Sequence, residues 1–540
     1  MNTGLFITSI IILLCILLNR VSRKIGIPML LGFILLGMLF GSDGILKIPF
    51  ENYKLAENIC SAALIFIMFY GGFGTNWKTA RPVAVKSVCL STLGVIFTAF
   101  LTGMFCYLIL HISLLESFLI GSVISSTDAA SVFSILQSKN MGLKYHTASM
   151  LEIESGSNDP CSYMLTAILL SIMGNQASTG KIVYLIFSQL VYGILFGFLI
   201  AFLARKFLRH FEFSTPGFDM AFMVALALVS YALPSLIGGN GYMSTYIVGI
   251  ILGNTKIKGK KSMVNFFDGI TGLMQMLIFF LLGLLATPSK LPEIFFTALF
   301  IALFLTFIAR PAAVFAILAP FKCKKEQILL VSFAGLRGAA SIVFAIMATV
   351  DDAYTSIDLF HIVFCIVLLS ILFQGTFLSS VAKKLKMSDE NEDIRKTFSD
   401  YSEEVDLQFI QLLINENHPW CLKPVKELIL PPDALIIMIL RDKKRIIPNG
   451  ETILYPKDTV ILSARIFAEP DSLSLTELRI DSASPWIGNR ISDFSPYAGE
   501  LVIMIIRGEE TIVPNGDTII LDKDLLVIYS SDKYKPDFSS

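Results

Sequence analysis

The feature that most constrains this chain is the recurrence of apolar runs near membrane length through its first 386 residues. A helix needs about 20 apolar residues to cross hydrocarbon. Thirteen spans are predicted, at 4–18, 27–41, 55–74, 83–111, 114–136, 147–174, 181–207, 217–235, 239–253, 264–285, 291–319, 326–350 and 358–382. Three of them (4–18, 27–41 and 239–253) are short. No basic stretch precedes Leu5, so the first run reads as a retained span rather than a cleaved leader. Inside lipid the backbone must satisfy its own hydrogen bonds, so the expected fold is an all-α polytopic membrane domain.

Loop charge orients it. Loops after odd-numbered spans, counted with the span ends beside them, hold 18 Lys and Arg, and loops after even-numbered spans, counted in the same way, hold 4. Basic residues collect in short cytoplasmic loops. The N-terminus is therefore expected outside, and the tail after Lys383 in the cytoplasm, in a cell (plasma or inner) membrane. The chain as a whole carries 43 basic and 43 acidic side chains. Residues 1–386 hold 27 basic and 16 acidic, and the remaining residues 16 basic and 27 acidic. No basic, aromatic-interleaved stretch suggests a nucleic-acid polymer as partner.

Spans 5 and 12 contain related segments, Asp128-Ala129-Ala130-Ser131-Val132-Phe133 and Gly338-Ala339-Ala340-Ser341-Ile342-Val343-Phe344, 210 residues apart. The same shift carries span 3 onto span 10. Spans 1–6 thus match spans 8–13, with span 7 as connector. Span 1 starts outside and span 8 inside, which gives two six-helix inverted repeats, a secondary-transporter architecture with broken helices meeting at mid-bilayer.

Charge at mid-bilayer is costly and marks function by default. Span 6 carries Glu152, Glu154, Ser155, Asn158 and Asp159. Glu154/Asn158 and Ser155/Asp159 are both i,i+4 pairs, which makes two adjacent polar stripes. Span 5 adds Ser125-Ser126-Thr127-Asp128, a run with weak helix preference, and span 12 adds Arg337 between Gly335 and Gly338. Burial disfavours the charged carboxylate, so a proton and a cation can compete at Asp159. Alkali cations favour oxygen, and Asp159, the Ser155 hydroxyl, Asp128 or a water it holds, and the Thr127 carbonyl are the expected cation and proton ligands. Arg337 is expected to pair permanently with Glu154, with the Asn158 amide completing a structural network. Glu152 reads as structural, and Arg310, beside Pro311, as an interhelical partner.

These motifs together are recognisable. Glu154-Ser155-Gly156-Ser157-Asn158-Asp159-Pro160, with Ser126-Thr127-Asp128-Ala129-Ala130 before it and Gly335-Leu336-Arg337-Gly338-Ala339 after it, resembles the NhaP-type monovalent cation:proton antiporters over about the first 386 residues. The resemblance implies 13 spans, a homodimer in the lipid bilayer, and electroneutral exchange by elevator-like alternating access. It also implies that Asp159 carries the exchanged cation or proton. Electrogenic relatives have Asp-Asp where this chain has Asn158-Asp159. Gly156-Ser157 resembles the potassium/proton subgroup, so K+ is the expected cation and Na+ the alternative.

The tail repeats itself. Residues 412–463 align without gaps on 478–529, 66 residues on, with 17 of 52 positions identical. Pro419-Trp420 matches Pro485-Trp486, Pro448-Asn449-Gly450 matches Pro514-Asn515-Gly516, and Lys457-Asp458 matches Lys523-Asp524. β-Branched runs between turn signals predict a small, strand-rich α/β unit in each copy. Each copy resembles a TrkA-C module. That resemblance implies a pocket for a small effector such as a cyclic dinucleotide, or a spacer that binds nothing. The expected boundaries are 1–386 for the membrane domain, 387–408 for a linker, and 409–467 and 473–535 for the two modules.

Rival classes lack their motifs. There is no Walker A, HExxH, GxSxG or TVGYG sequence, and no GxGxxG after a strand. The eight cysteines include no CxxC pair and the five histidines no metal spacing. The expectation is a secondary antiporter, not an enzyme, without a cofactor, its ions being the cargo. A regulated cation channel is the alternative.

Overall fold

In the computed structural model, the described residues of the first unit (Met1–Glu403) form helices and one two-residue ribbon, and those of the second (Glu404–Ser540) form mainly strands. The structure describes residues 6, 9–18, 29–138, 141–174, 178–211, 213, 215, 217–255, 257, 260–353, 356–389, 407–416, 418–430, 434–441, 444–465, 475–481, 484–493, 500–508 and 510–530. Most of the expected linker lies outside them, as do Arg20, Arg23, Lys24, Lys139, Lys256 and Lys258 of the loop-charge pattern.

Helices α1 (Ser9–Leu18), α2 (Met29–Phe40) and α3 (Tyr53–Gly74) open the first unit. After a single turn at Trp77–Ala80 come α4 (Ala84–Leu108), α5 (Leu114–Val123), α6 (Ala129–Ser138) and α7 (Thr147–Met173). Next are α8 (Thr179–His210), α9 (Phe218–Leu236), α10 (Gly241–Gly253) and α11 (Lys260–Leu285). The last are α12 (Pro288–Leu318), α13 (Lys325–Phe333), α14 (Ala339–Val350) and α15 (Leu359–Lys384). Among the described residues, seven of these helices (α3, α4, α8, α9, α11, α12 and α15) are long and apolar enough to cross a membrane.

Local chemistry explains where helices start, widen and stop. The side chains of Asn52, Asn240 and Asp358 accept the backbone N–H of Leu55, Met243 and His361, capping α3, α10 and α15. Pro311 has no N–H to return, and α12 opens into a π-turn just ahead of it at Leu305–Ala309. Similar π-turns occur in α4 at Leu90–Gly94 and in α15 at Ile371–Gly375.

Glycines set the closest crossings. A Cβ on Gly37 would lie 2.2 Å from the Phe280 carbonyl oxygen, and one on Gly283 would lie 2.1 Å from that of Ile34, so α2 and α11 touch backbone to backbone. Gly72 and Gly249 do the same for α3 and α10. The outer faces carry exposed rings, such as Phe198 and Phe202 on α8 and Phe300 and Phe307 on α12, whereas Ile342, Phe344 and Ala345 of α14 are buried.

Spans 5 and 12 are interrupted. Helix α5 ends at Val123 and α6 begins at Ala129; α13 ends at Phe333 and α14 begins at Ala339. In the first gap, Ser and Thr hydroxyls and the Asp128 carboxylate compete for backbone groups. In the second, Gly335 and Gly338 remove the preference for helix.

The ribbon joins β1 (Gly142–Leu143), in the loop between α6 and α7, to β2 (Ser388–Asp389), just after α15. The Lys144 N–H extends it by donating to the Met387 carbonyl at 2.9 Å.

In the second unit, β3 (Leu407–Leu413), β4 (Leu435–Arg441), β5 (Lys444–Ile446) and β6 (Thr459–Arg465) form an antiparallel sheet in the order β3-β6-β4-β5. Strands β7 (Leu475–Arg479), β8 (Glu500–Arg507), β9 (Glu510–Ile512) and β10 (Leu525–Ser530) form another, in the equivalent order β7-β10-β8-β9. Arg441 makes a bidentate pair with Asp458, with its Nη2 also on the Ile453 carbonyl; Arg507, Asp524 and Ile519 repeat the arrangement 66 residues on. The α/β expectation is corrected here. Among the described residues each module has strands and one single-turn 3-10 helix, Val425–Glu427 or Ile491–Asp493, but no α-helix. The connection from β3 to β4 carries Pro419, Pro424, Pro431 and Pro432, which interrupt any helical run in it.

Candidate functional site

The two interrupted segments cross. The Asp128 N–H donates to the Leu336 carbonyl at 2.8 Å, joining one break to the other. A Cβ on Gly338 would lie 2.4 Å from the Asp128 Cβ, so only glycine allows this approach. Helix ends meet here with complementary charges. Asp128 caps α6: its carboxylate accepts the Ser131 N–H at 3.4 Å and the Ser131 hydroxyl. Arg337 lies at the other kind of end. Its Nη1 donates to the Ile124 carbonyl at 2.6 Å and the Ser126 carbonyl at 2.8 Å, acceptors freed where α5 stops.

Helix α7 passes this crossing with its polar stripes facing it. The Ser126 hydroxyl donates to Asp159 Oδ1. The Ser155 hydroxyl donates to the Thr127 carbonyl at 2.8 Å, and Asn158 Nδ2 to the Thr127 hydroxyl at 2.6 Å. Asp159, Asn158 and Glu154 are buried, and Ser155 is half-buried. Ser162 closes the end of α5 by donating to the Ser122 carbonyl at 2.6 Å, and Asn240, the cap of α10, donates its amide to the Pro160 carbonyl at 2.8 Å.

The seven predicted site residues thus lie around one crossing, but one pairing differs. Glu154 faces Arg310 Nη1 at 2.6 Å instead of Arg337, and both partners are almost fully buried. The reason is geometric. Arg337 sits in unwound chain, where backbone carbonyls claim its guanidinium, while the π-turn of α12 precedes Arg310 directly. Ser370 and Gln374 were missed. Ser370 Oγ accepts the Arg337 N–H at 3.0 Å and donates to Gln374 Oε1, and Gln374 Nε2 donates to the Phe333 carbonyl at 3.0 Å, bracing the second break from α15. A glutamine and a serine four residues apart in an apolar span were the available signal. Among the described residues, no group of three His, Cys, Asp or Glu side chains could hold a metal ion.

Residues 9–384 match the family described as sodium/hydrogen exchanger, transmembrane. The chain belongs to the sodium/hydrogen exchanger family. It is therefore a membrane transporter of monovalent cations and protons, an antiporter rather than an enzyme. Residues 409–466 and 475–534 each match the TrkA-C domain. The K(+)/H(+) antiporter NhaP of Alkalimonas amylolytica is 32% identical over 504 residues, 91% of this chain and 86% of that protein. The K(+)/H(+) antiporter NhaP2 of Shewanella sp. (strain MR-4) is 32% identical over 464 residues, 85% of this chain and 80% of that protein. The fold is that of the sodium proton antiporter MjNhaP1 from Methanocaldococcus jannaschii, with a TM-score of 0.63 at 24% identity, covering 69% of this chain and 99% of that one. Both broken helices and the polar face of α7 lie inside the part that matches the exchanger family.

Proposed function

We propose that this antiporter exchanges K+ for H+ with no net movement of charge, the two ions competing for Asp159. The observation that carries the reading is the convergence of the Asp159 carboxylate, the Ser155 hydroxyl and the Thr127 carbonyl where two broken helices cross. These are hard oxygen donors of the kind an alkali cation takes in exchange for water. Asp128 completes the cation side, holding α6 in place and able to hold a water toward the ion. Glu154, Asn158 and Arg337, with Arg310, form the framework. Arg310 balances Glu154, and Arg337 and Asp128 complement opposite helix ends, so Asp159 is the carboxylate left to alternate between proton and cation. K+ is favoured by the names of the relatives that match most of the chain; Na+ is the other candidate.

In this reading α1–α15 make 13 spans, α5 with α6 and α13 with α14 each forming one broken span. Inverted repeats account for three coincidences. The breaks are 210 residues apart, the π-turns of α4 and α12 occupy related spans, and the crossing of α3 and α10 through Gly72 and Gly249 mirrors that of α11 and α2 through Gly283 and Gly37. Alternating access moves the crossing as a body within a homodimer, with the N-terminus outside and the tail in the cytoplasm. We place the domain limits at 1–386, 387–408, 409–467 and 473–535. The tail regulates exchange through a small effector, such as a cyclic dinucleotide, and the ribbon that joins its root to the loop between α6 and α7 supports that role.

Flux in proteoliposomes driven by a pH step tests the core of this. Wild-type protein is expected to move K+ against H+ without current, and Asp159→Asn to abolish both fluxes. Coupled exchange that persists in Asp159→Asn overturns the assignment. Cation current without proton movement would indicate a channel, and preference for Na+ the other cation.

A further inference from the structure

The chain passes from α11 to α12 through a short link that two different elements hold. Helix α11 lies against α2 through the glycine contacts described above. Helix α12 instead stacks Phe304 on Phe105 of α4, with ring centroids 4.1 Å apart, and meets α15 through Phe307 and Phe373. Between the two, Thr287 leads into a single 3-10 turn at Pro288–Lys290. N–H groups at such a start have no helical acceptor. The Ser289 N–H goes to Asp43 Oδ2 at 2.9 Å, in the loop after α2. The Thr287 N–H goes to His361 Nε2 at 3.0 Å, in the first turn of α15.

The Thr287 contact fixes the state of a buried imidazole, for His361 is only 2% exposed. A backbone N–H can only donate, so Nε2 presents a lone pair and the ring hydrogen sits on Nδ1. Nδ1 faces Asp358, 2.7 Å from Oδ2 and 2.9 Å from Oδ1. The Asp358 side chain is 37% exposed and gives the ring a route to solvent protons. A second proton has to enter on Nε2, where it points at the Thr287 N–H and sets two donors against each other. Histidine is the side chain that changes charge between about pH 5 and 8. The charged and titratable groups around it are Asp358 on its own helix, Lys290 in the link, Glu51 and Tyr53 at the start of α3, and Glu116 of α5, which holds the loop before α15 through the Ser356 hydroxyl at 2.8 Å. Hydrogen bonds from Ser289 hold the Asp43 carboxyl below the ordinary carboxylate range, so the Asp43 clamp keeps its charge where histidine titrates.

We propose that His361 is a proton-operated latch on the α11–α12 link, acting as a positioning residue for transport. Neutral, it ties the link to α15; protonated, it lets go and leaves the link to Asp43. The proposal rests on the reading above in which the broken-helix crossing moves as a body. Helix α15 braces the second break through Ser370 and Gln374, so a bond from its first turn to the end of α11 resists movement of the crossing past α2 and α11. The neutral latch therefore slows exchange, and acid releases it.

Isotope self-exchange of the carried cation tests this in proteoliposomes of the full-length protein. With saturating cation and equal pH on both sides, no proton is needed at Asp159, and the rate reports movement alone. In the wild type that rate is expected to rise about 3- to 10-fold from about pH 8 to about pH 5, the size of one hydrogen bond lost from the resting state. His361→Gln keeps an acceptor near the Nε2 position and cannot gain a proton, so it should stay at the slow, alkaline rate throughout. His361→Phe removes the acceptor and should stay at the fast, acid rate. A wild type without the step, or a Gln variant that keeps it, overturns the proposal. So do two variants that are equally slow at every pH, which would indicate packing alone. If the Phe variant does not fold, the Gln variant still decides. Failure of the alternating-access reading shows separately, as cation current without proton movement in the wild type.

Discussion

Arg310 and Arg337 are both buried and permanently charged, yet they answer different needs. Arg310 neutralises a buried carboxylate; Arg337 serves carbonyls that lost their helical partners. Removing one member of a buried ion pair strands the other and costs about 3–5 kcal/mol, whereas replacing both can cost little. Arg310→Ala should therefore lower the melting temperature of the purified protein by several degrees, and adding Glu154→Gln should restore much of it. A thiol-reactive dye can follow this, since Cys60, Cys106, Cys161 and Cys365 are buried in the helical unit and react only as it opens. If the double variant is no more stable than the single one, the pair does not act as a unit. Sequence pointed to each charged residue of this framework. Which arginine met Glu154 depended on where unwound carbonyls lay, and no spacing along the chain expresses that.

Among the elements, the interrupted helices and the ribbon are the ones on which the proposed function rests. The breaks were legible because Ser-Ser-Thr-Asp and Gly-Leu-Arg-Gly are poor helix formers inside otherwise apolar runs. The ribbon was not legible, since two residues at 142–143 and two at 388–389 have no pattern that pairs them. It attaches the root of the tail to the short loop between α6, which Asp128 caps, and α7, which carries Asp159. If the tail acts along this path, truncation after Asp389 should change the exchange rate. A full-length Ser388→Pro, Asp389→Pro variant, lacking both strand N–H donors, should show the same change. A full-length variant that behaves as wild type while the truncated chain does not would send the coupling elsewhere.

At the scale of the whole molecule, the chain joins a unit stabilised for lipid to one stabilised for water. The strand unit depends on its two repeated ion pairs. Burial alone would raise the carboxyls of Asp458 and Asp524, but Arg441 and Arg507, with the N–H groups of Tyr455 and Leu521, outweigh it and hold both below the ordinary carboxylate range. A group with a lowered folded pKa adds stability that is complete above its unfolded value, about 4 for Asp, and lost as the pH falls further. Acid should therefore loosen the tail modules below about pH 4, as read from the fluorescence of Trp420 and Trp486, which pack in the module cores, in a Trp77→Phe background. Asp458→Asn with Asp524→Asn should flatten that transition and cost each module about 1.5–3 kcal/mol. Sequence by itself determined the division into an apolar and a polar unit, the duplication in the tail, and the polar residues of the candidate site. Those properties follow from periodicity and from the cost of charge in lipid, which act along a single segment. Only the tertiary structure decided that Glu154 meets Arg310, that Ser370 and Gln374 brace a break, and that His361 accepts the Thr287 N–H. Each of these joins residues tens to hundreds of positions apart, and such a contact depends on how helices cross rather than on what any one of them contains.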